Sequence, residues 1–591
     1  MSGEHLSNSC QRKKKKKKKT IVNRQENRLS TKVGKLLIQN YSLLEKYHFT
    51  PFYFSLLIEQ ISSNFSNIFN KKSINTEMEM AKLFTTLLYD PFYLTLILLL
   101  SVFFLFIHNR TSNVQFNFPP SPPKLPIIGN LHQLGTYPHH SLQALAAKYG
   151  PLMFLNLGCV KTIVVSSNEI VREITKNHDI VFSNRPRITG AEIFLYGGKN
   201  MGFSPYGEYW RQSRRICALQ LLSLKRVQSF QVVREEEVKK LVEELRKTCF
   251  NGSCINFSEI LISTISNIVC RCILGKTYDS KEDHSSSSTL GELSKTAMSQ
   301  FMEISVGEFF PSLKWVDVLR GFISRLKSTA RALDAFYNFV IEEHKAMKKN
   351  DGESSLQDFV DVLLQLQEDS QLGIELTQDH LKALLQDMLL AGIETTAIAS
   401  EWLMTELVRY PRVMKKAQEE VRRVVGQKGR VDTNDISQME YIKCVIKESL
   451  RLHPPTPLLL PRETSESVQI GGYHIPAKTR VLINAWAIQR DPSTWERPDE
   501  FLPERFENNP IDFKNQELTE YIPFGFGRRQ CPGIAFGMVS IEYLVANILY
   551  WFDWKLPGED TIPEDLDVTE VYGLTVHKKV PLHLVPISYS P

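Results

Sequence analysis

Two short stretches of this 591-residue chain gather residue types that can do chemistry. The first, Pro523-Phe-Gly-Phe-Gly-Arg-Arg-Gln-Cys531-Pro-Gly533, sets a single cysteine behind a turn-rich loop and ahead of a helix-like run, Ile534 to Leu549. Pro532 suits the first position of that helix, where its missing N–H costs nothing. Cys531 would then face unpaired backbone N–H groups at a positive helix end. That setting favours the thiolate, which is the form that binds metal. Gly525, Gly527 and Gly533 let the backbone approach something flat or bulky, and Arg528 and Arg529 carry charge suited to carboxylates. Other readings compete. A buried structural cysteine is a common fate of a single Cys. A phosphate-cradling loop lacks its third glycine here, and a zinc site lacks a second Cys or His close by.

The second stretch lies within Leu381 to Leu407, a long apolar run with helical pattern. Its middle holds Ala391 and Gly392, then Glu394, Thr395 and Thr396. Small residues let a flat ligand approach the helix face, and a carboxylate beside a hydroxyl can relay protons to a bound oxygen. Threonines in an apolar helix can also bond back to the preceding turn and bend it.

Other charges need elements to hold them. Glu448 and Arg451 are spaced i,i+3 on a helix expected to start near Ile436, with Asp435 as its cap and Pro454-Pro455 as its end. Arg505 follows in Pro503-Glu-Arg-Phe506. Trp210 and Arg214 stand four apart on one helix face, a spacing that allows a cation–π core pair. Arg462 lies in Leu460-Pro-Arg462.

Helices are expected over Ser141 to Lys148 and Glu235 to Lys247, and strands over Leu152 to Leu157 and Thr162 to Val165. Late short strands, Ser467 to Ile470 and Val481 to Ala485, have Gly471-Gly472 between them as a turn. Ser285 to Ser288 and Asn350-Asp-Gly352 read as exposed loops. The net charge of +6 gives the body no case for nucleic-acid binding. Nine scattered cysteines form no disulfide framework, which points to a reducing compartment.

The beginning of the chain is unlike the rest. Residues 1–79 carry an unbroken lysine run, Lys13 to Lys19, and read as an extension outside the working fold. Phe92 to Ile107 is almost wholly apolar, and with its flanks reaches the roughly 17–25 residues of a spanning helix. A start at Met78 or Met80 would leave only Lys82 ahead of that span, with Arg110 and Lys124 behind it, which favours a cytosolic body. Pro119-Pro-Ser-Pro-Pro-Lys-Leu-Pro126 then reads as a semi-rigid spacer.

The residues Phe524, Gly527, Arg529, Cys531 and Gly533, taken as Phe-x-x-Gly-x-Arg-x-Cys-x-Gly, resemble the haem-binding loop of the cytochrome P450 family. The resemblance runs from about residue 80 to the end of the chain. It rests on Trp210 and Arg214, Glu394-Thr395, Glu448 and Arg451, Arg505, and the Cys531 loop, in that order. The hinge and the run Ile483 to Pro492 resemble the plant A-type group, whose members act on terpenoids, furanocoumarins and aldoxime-derived metabolites. This resemblance implies a mainly α body with small β-sheets: one haem-binding domain over 130–591, behind an anchor at 80–109 and a hinge at 110–129. It implies haem b bound through the Cys531 thiolate, with Trp210, Arg214, Arg462 and Arg529 at its propionates. Glu394 and Thr395 would be the oxygen-activating pair, and Glu448, Arg451 and Arg505 a structural lock. Phe194, the region Phe301 to Phe310, Ala391, Leu458, Leu459 and Gly573-Leu574 would line the substrate space.

The implied activity is monooxygenation of a small hydrophobic metabolite, driven by NADPH electrons from a membrane-bound NADPH–cytochrome P450 reductase, with cytochrome b5 as a second donor. The implied location is the cytosolic face of the endoplasmic reticulum, held by a single span. Arg528, Arg529, Lys225 and Arg226 would offer the reductase a cationic face. A haem-thiolate isomerase or dehydratase, and a haem sensor without catalysis, are the rival classes.

Overall fold

The computed structural model describes residues 117–278, 288–301, 303–350, 357–368, 375–513, 515, 517–558 and 562–590, and before them only Thr95, Leu99 and Ser101. The basic extension, nearly all of the apolar run Phe92 to Ile107, Ser285 to Ser287 and Asp351-Gly352 lie outside the described residues. Asn350 closes a long helix, and Ser288 opens another.

The compact unit runs from Gln115 to Pro591. Its proline run lies against the body. Phe154 N donates to Pro120 O at 2.9 Å, and Asn130 Nδ2 and Gln133 Nε2 donate to the carbonyls of Pro122 and Pro123 at 3.3 and 2.9 Å. A chain of prolines cannot donate these bonds, so Asn130 and Gln133 supply them.

Helix α1 (Pro138–Tyr149) leads into the hairpin β1 (Leu152–Leu157) and β2 (Val160–Val165). Helices α2 (Asn168–Asn177), α3 (Thr189–Phe194) and α4 (Glu208–Ile216) follow, the last continued by a π turn over Cys217–Leu221. Helix α5 (Gln231–Asn251) ends at Gly252, whose positive φ lets the chain turn into strand β3 (Ile255–Asn256). Then come α6 (Phe257–Leu274), α7 (Ser288–Phe301), α8 (Phe322–Asn350) and α9 (Phe359–Glu368).

Helix α10 (Gln378–Arg409) is capped by Thr377, whose side chain pairs with His380 in a capping box. It is apolar around most of its circumference because neighbours cover it on most sides, α6 among them. Helices α11 (Pro411–Val425) and α12 (Glu440–Leu452) precede the short strands β4 (Arg462–Glu463), β5 (Val468–Ile470), β6 (Tyr473–Ile475) and β7 (Arg480–Ile483). Helix α13 (Ile534–Trp551), strand β8 (Phe552–Lys555), the hairpin β9 (Glu570–Val571) and β10 (His577–Lys578), and strand β11 (His583–Ser588) complete the body.

The main sheet has the order β1-β2-β7-β4. β2 runs antiparallel to β1 and parallel to β7, with Val165 opposite both Leu152 and Ile483. The mainly helical body with small sheets agrees with the sequence expectation. Helices α6 and α13 are long and apolar enough to cross a membrane, but most of each is buried inside the fold, as in core helices.

Several local expectations are corrected. The helix expected from Ile436 is two helices. Asp432 caps the short one (Thr433–Ser437), Asp435 is its third residue, and α12 starts afresh at Glu440. Gly471 and Gly472, at φ 55° and 79°, join β5 to β6; two positive φ values make the tight turn that matches strand twist. β7 stops at Ile483, because the side chain of Asn484 caps the short helix Ala485–Ile488 through Ala487 N at 3.1 Å.

Glu448 lies in contact with both Arg451 and Arg505. Arg451 Nε and Nη2 donate to the two carboxylate oxygens of Glu448 at 2.7 and 2.9 Å, and Arg505 Nε to Oε1 at 3.0 Å. Leu502 N also donates to Oε1, and Arg451 donates on to the carbonyls of Gln489, Pro498 and Glu500. One buried carboxylate thereby joins α12 to the Pro503–Phe506 turn ahead of the cysteine loop.

Candidate active site

The loop Pro523–Gly533 is shaped by its own backbone. Gly525 N donates to Ile522 O, Gln530 N to Gly527 O, and Cys531 N to Phe524 O at 2.9 Å. Phe524 holds an edge-on contact with Phe513, with centroids 5.0 Å apart. Gly527 is required by a neighbour the sequence reading did not identify. At φ 62°, a Cβ there would lie 2.3 Å from Asp179 Oδ1. Asp179 also accepts from Arg528 N at 3.2 Å and pairs with the Arg528 guanidinium.

Gly533, not Pro532, caps α13, so Pro532 stands just before the helix. The Cys531 side chain is exposed to a cavity, and the protein around it desolvates the thiol. Burial raises its pKa, against the lowering influence of Gly533 N–H and Arg214. In the protein alone desolvation thus opposes the influence of the helix end, and a metal cation bound at the sulfur would favour the thiolate.

The cavity measures about 340 Å³. Around it gather Trp210 and Arg214 from α4, Arg462 from β4, Phe524, Arg529, Cys531 and Gly533 from the loop, and Arg185, which the sequence reading missed. Burial lowers the pKa of all four arginines, that of Arg462 to about 10 and that of Arg529 to about 9. Arg462 and Arg529 depress Arg185 further, and Arg462 and Arg214 depress Arg529.

Arg529 is not at the surface. It donates to the carbonyls of Ser183, Met201 and Ser204, and its guanidinium lies 4.3 Å from the Trp210 ring centre. The cation over Trp210 is therefore Arg529, not Arg214. Arg226 is spent in part on Gln357 O at 3.2 Å. The cationic docking face expected of Arg529 with Arg528 therefore loses one of its members. Arg462 Nη2 donates to Phe526 O, while its buried Nη1 has no hydrogen-bond acceptor and lies 3.9 Å from Asp179 Oδ1. Four mutually repelling, desolvated guanidinium groups beside an open cysteine fit a planar ligand that bears carboxylates and a metal.

Helix α10 brings Ala391, Gly392, Glu394, Thr395 and Thr396 to the cavity. Gly392 faces α6, where a Cβ would come within 3.4 Å of Val269. Thr395 Oγ1 donates to Ala391 O at 2.6 Å, so its hydroxyl is turned back along the helix. Burial raises the pKa of Glu394; a hydrogen bond from Thr575 opposes this, and the buried Oε2 has no hydrogen-bond partner among the described residues. Asp387, two turns before Glu394, was also missed. Its carboxylate accepts from Asn200 Nδ2 (2.7 Å), Met201 N (2.6 Å) and Gly202 N (3.2 Å), and burial pushes its pKa to about 6.

Phe194, Phe301, Leu459 and Leu574 line the same space. Leu458 does not. It packs with Leu142, Met153 and Val164 on the far side, because the chain reverses at Leu459, where φ is 51°. Phe309 and Phe310 instead meet the β1–β2 turn, with Cys159 N donating to Phe309 O. Gly573 is not among the residues that face the cavity.

The family model for cytochrome P450 matches residues 119–583. The chain belongs to the cytochrome P450 family and is a cytochrome P450 monooxygenase, with haem bound through a cysteine thiolate. It is 54% identical over 507 residues to phenylacetaldehyde oxime monooxygenase CYP71AN24 of Prunus mume, covering 84% of this chain and 95% of the relative. Cytochrome P450 71A1 of Persea americana is 52% identical over 460 residues (77% and 91% covered), and costunolide synthase of Cichorium intybus 43% over 500 (84% and 98%). A solved zebrafish cytochrome P450 with progesterone has the same fold, at TM-score 0.64 and 24% identity, covering 76% of this chain and 99% of that one.

Proposed function

We propose that the protein inserts one oxygen atom from dioxygen into a small hydrophobic plant specialised metabolite, using NADPH electrons delivered by a partner reductase. The observation that carries this reading is the placing of Cys531 and the Glu394-Thr395 pair on one enclosed cavity whose remaining wall is largely apolar. Haem held through Cys531 would supply an iron centre for oxygen activation, with electron density from the thiolate favouring O–O cleavage. Arg185, Arg214, Arg462 and Arg529 are the partners for its carboxylates, and Trp210 holds Arg529 in place. Phe524 and Gly533 keep the loop backbone clear of the ring, while Gly527 makes room for Asp179 behind it.

Glu394 is the proton source at the cavity: burial raises its pKa, and its buried Oε2 has no hydrogen-bond partner among the described residues. Thr395 carries the proton onward once its hydroxyl leaves Ala391 O. Phe194, Phe301, Ala391, Leu459 and Leu574 exclude water and orient an apolar substrate, for which aryl aldoximes and terpenoids are the first classes to try. The apolar run Phe92 to Ile107 is read as the anchor that sets the body on the cytosolic face of the endoplasmic reticulum.

The test is turnover by purified protein with reductase, NADPH and isotopically heavy dioxygen, over a panel that includes phenylacetaldehyde oxime and sesquiterpenes. One heavy oxygen atom transferred per turnover, to product or to the water released from it, supports the reading. Product formation without NADPH or dioxygen would favour an isomerase or dehydratase.

A further inference from the structure

A second cluster of donor atoms lies away from the cavity. His139 and His140 occupy the first turn of α1, and Glu570 opens β9. His139 Nε2 is 3.1 Å and His140 Nε2 3.7 Å from the same oxygen, Glu570 Oε2, and the three donor atoms all lie within 4.8 Å of one another. A tetrahedral zinc ion, with bonds of about 2.0–2.2 Å, needs donors separated by roughly 3.3–3.5 Å. The two short edges bracket that value, and the third closes with a small turn of the His140 ring. His139 is buried, whereas the His140 side chain is 45% exposed, which leaves an approach from solvent and room for a water as fourth ligand.

We propose that His139, His140 and Glu570 form a binding site for a borderline divalent cation of the zinc class, which ties the β9–β10 hairpin to α1. Two imidazoles and one carboxylate are a donor set suited to zinc and poorly suited to magnesium. The rings are already oriented: His140 stacks on Trp486 at 4.3 Å and His139 on Tyr572 at 5.7 Å.

Arg490 is the opposing charge nearby. It lies over Trp486 and pairs with Asp499 at 3.4 Å, so it weakens cation binding without occupying the donors. The consequence reaches the cavity, because Glu570 pairs with Lys578 across the hairpin, and Leu574 and Thr575 lie between those strands.

The experiment uses the haem-loaded enzyme after chelator dialysis, titrated with Zn2+ and separately with Mg2+ by calorimetry. Hydrogen exchange is followed over residues 570–578. One Zn2+ per chain, slower exchange in that hairpin, no comparable Mg2+ binding, and affinity weakened by more than about tenfold in His140→Ala support the site. His140→Ala removes a half-exposed ring and leaves the buried His139–Glu570 pair intact, so the variant remains folded. Absence of saturable Zn2+ binding, equal binding in His140→Ala, equal binding of Mg2+, or unchanged hairpin exchange overturns it.

Discussion

Glu448→Gln is the substitution whose cost follows most directly from the geometry. The side chains of Glu448 and Arg451 are fully buried, and that of Arg505 is 11% exposed. Glutamine keeps the shape but removes the carboxylate charge that faces two guanidinium groups, and it turns an N–H toward one of them. Breaking one member out of a buried ion pair costs about 3–5 kcal/mol, because the remaining charge is left desolvated. At about 2.1 cal/mol/K per residue, a unit of roughly 480 residues loses about 1 °C per kcal/mol, so the melting temperature falls by about 3–5 °C. Glu504→Gln is the control. That carboxylate is half-exposed beside Lys416 and Tyr441, and an exposed pair is worth under about 1 kcal/mol. Both variants are melted beside the parent at one scan rate, followed by far-ultraviolet circular dichroism and haem absorbance. A Glu448→Gln melt within about 1 °C of the parent, or one matching Glu504→Gln, refutes the reasoning.

Other outcomes follow from the same contacts. Thr395→Ala should lower product formed per NADPH several-fold and raise peroxide release, while leaving substrate-induced spectral changes intact; unchanged coupling counts against the relay. Asp387 holds its proton more tightly in the folded protein than in the unfolded chain, so its contribution to stability is greatest below the ordinary carboxylate value and fades as pH rises to about 6. Asp387→Asn should flatten that part of the stability–pH curve, and denaturation midpoints across pH 4 to 7 measure it; an unchanged slope contradicts the assignment. Gly527→Ala should lose haem on purification because its Cβ meets Asp179, whereas Gly525→Ala, whose nearest contact is 3.7 Å, should retain more. Equal retention removes Asp179 from the explanation.

The cysteine loop, the Glu394-Thr395 helix and the Glu448–Arg451 pair were legible in the sequence because each is a local pattern whose residues share one element. What escaped the sequence was set by partners far away along the chain. Asp387 interrupts an apolar run, which was the one available signal, but its acceptor role depends on residues 200–202. Arg185 and Asp179 sit in loops whose approach to the cysteine loop only the fold determines. Leu458 and Leu459 are indistinguishable as types, and a single left-handed residue decides which of them faces the cavity. The opposing pulls on the cysteine's charge have a related origin: the helix end is visible in sequence, whereas the desolvation that opposes it is a property of the assembled cavity.

The central claim is that the sulfur of Cys531 binds haem iron as a thiolate, and the carbon monoxide difference spectrum of the reduced protein tests it most directly. The parent, expressed with ample haem, should give the strongly red-shifted band of a thiolate-ligated ferrous complex, and Cys531→Ala should give none. A parent protein without haem absorbance, or a Cys531→Ala protein that keeps the band, contradicts the account.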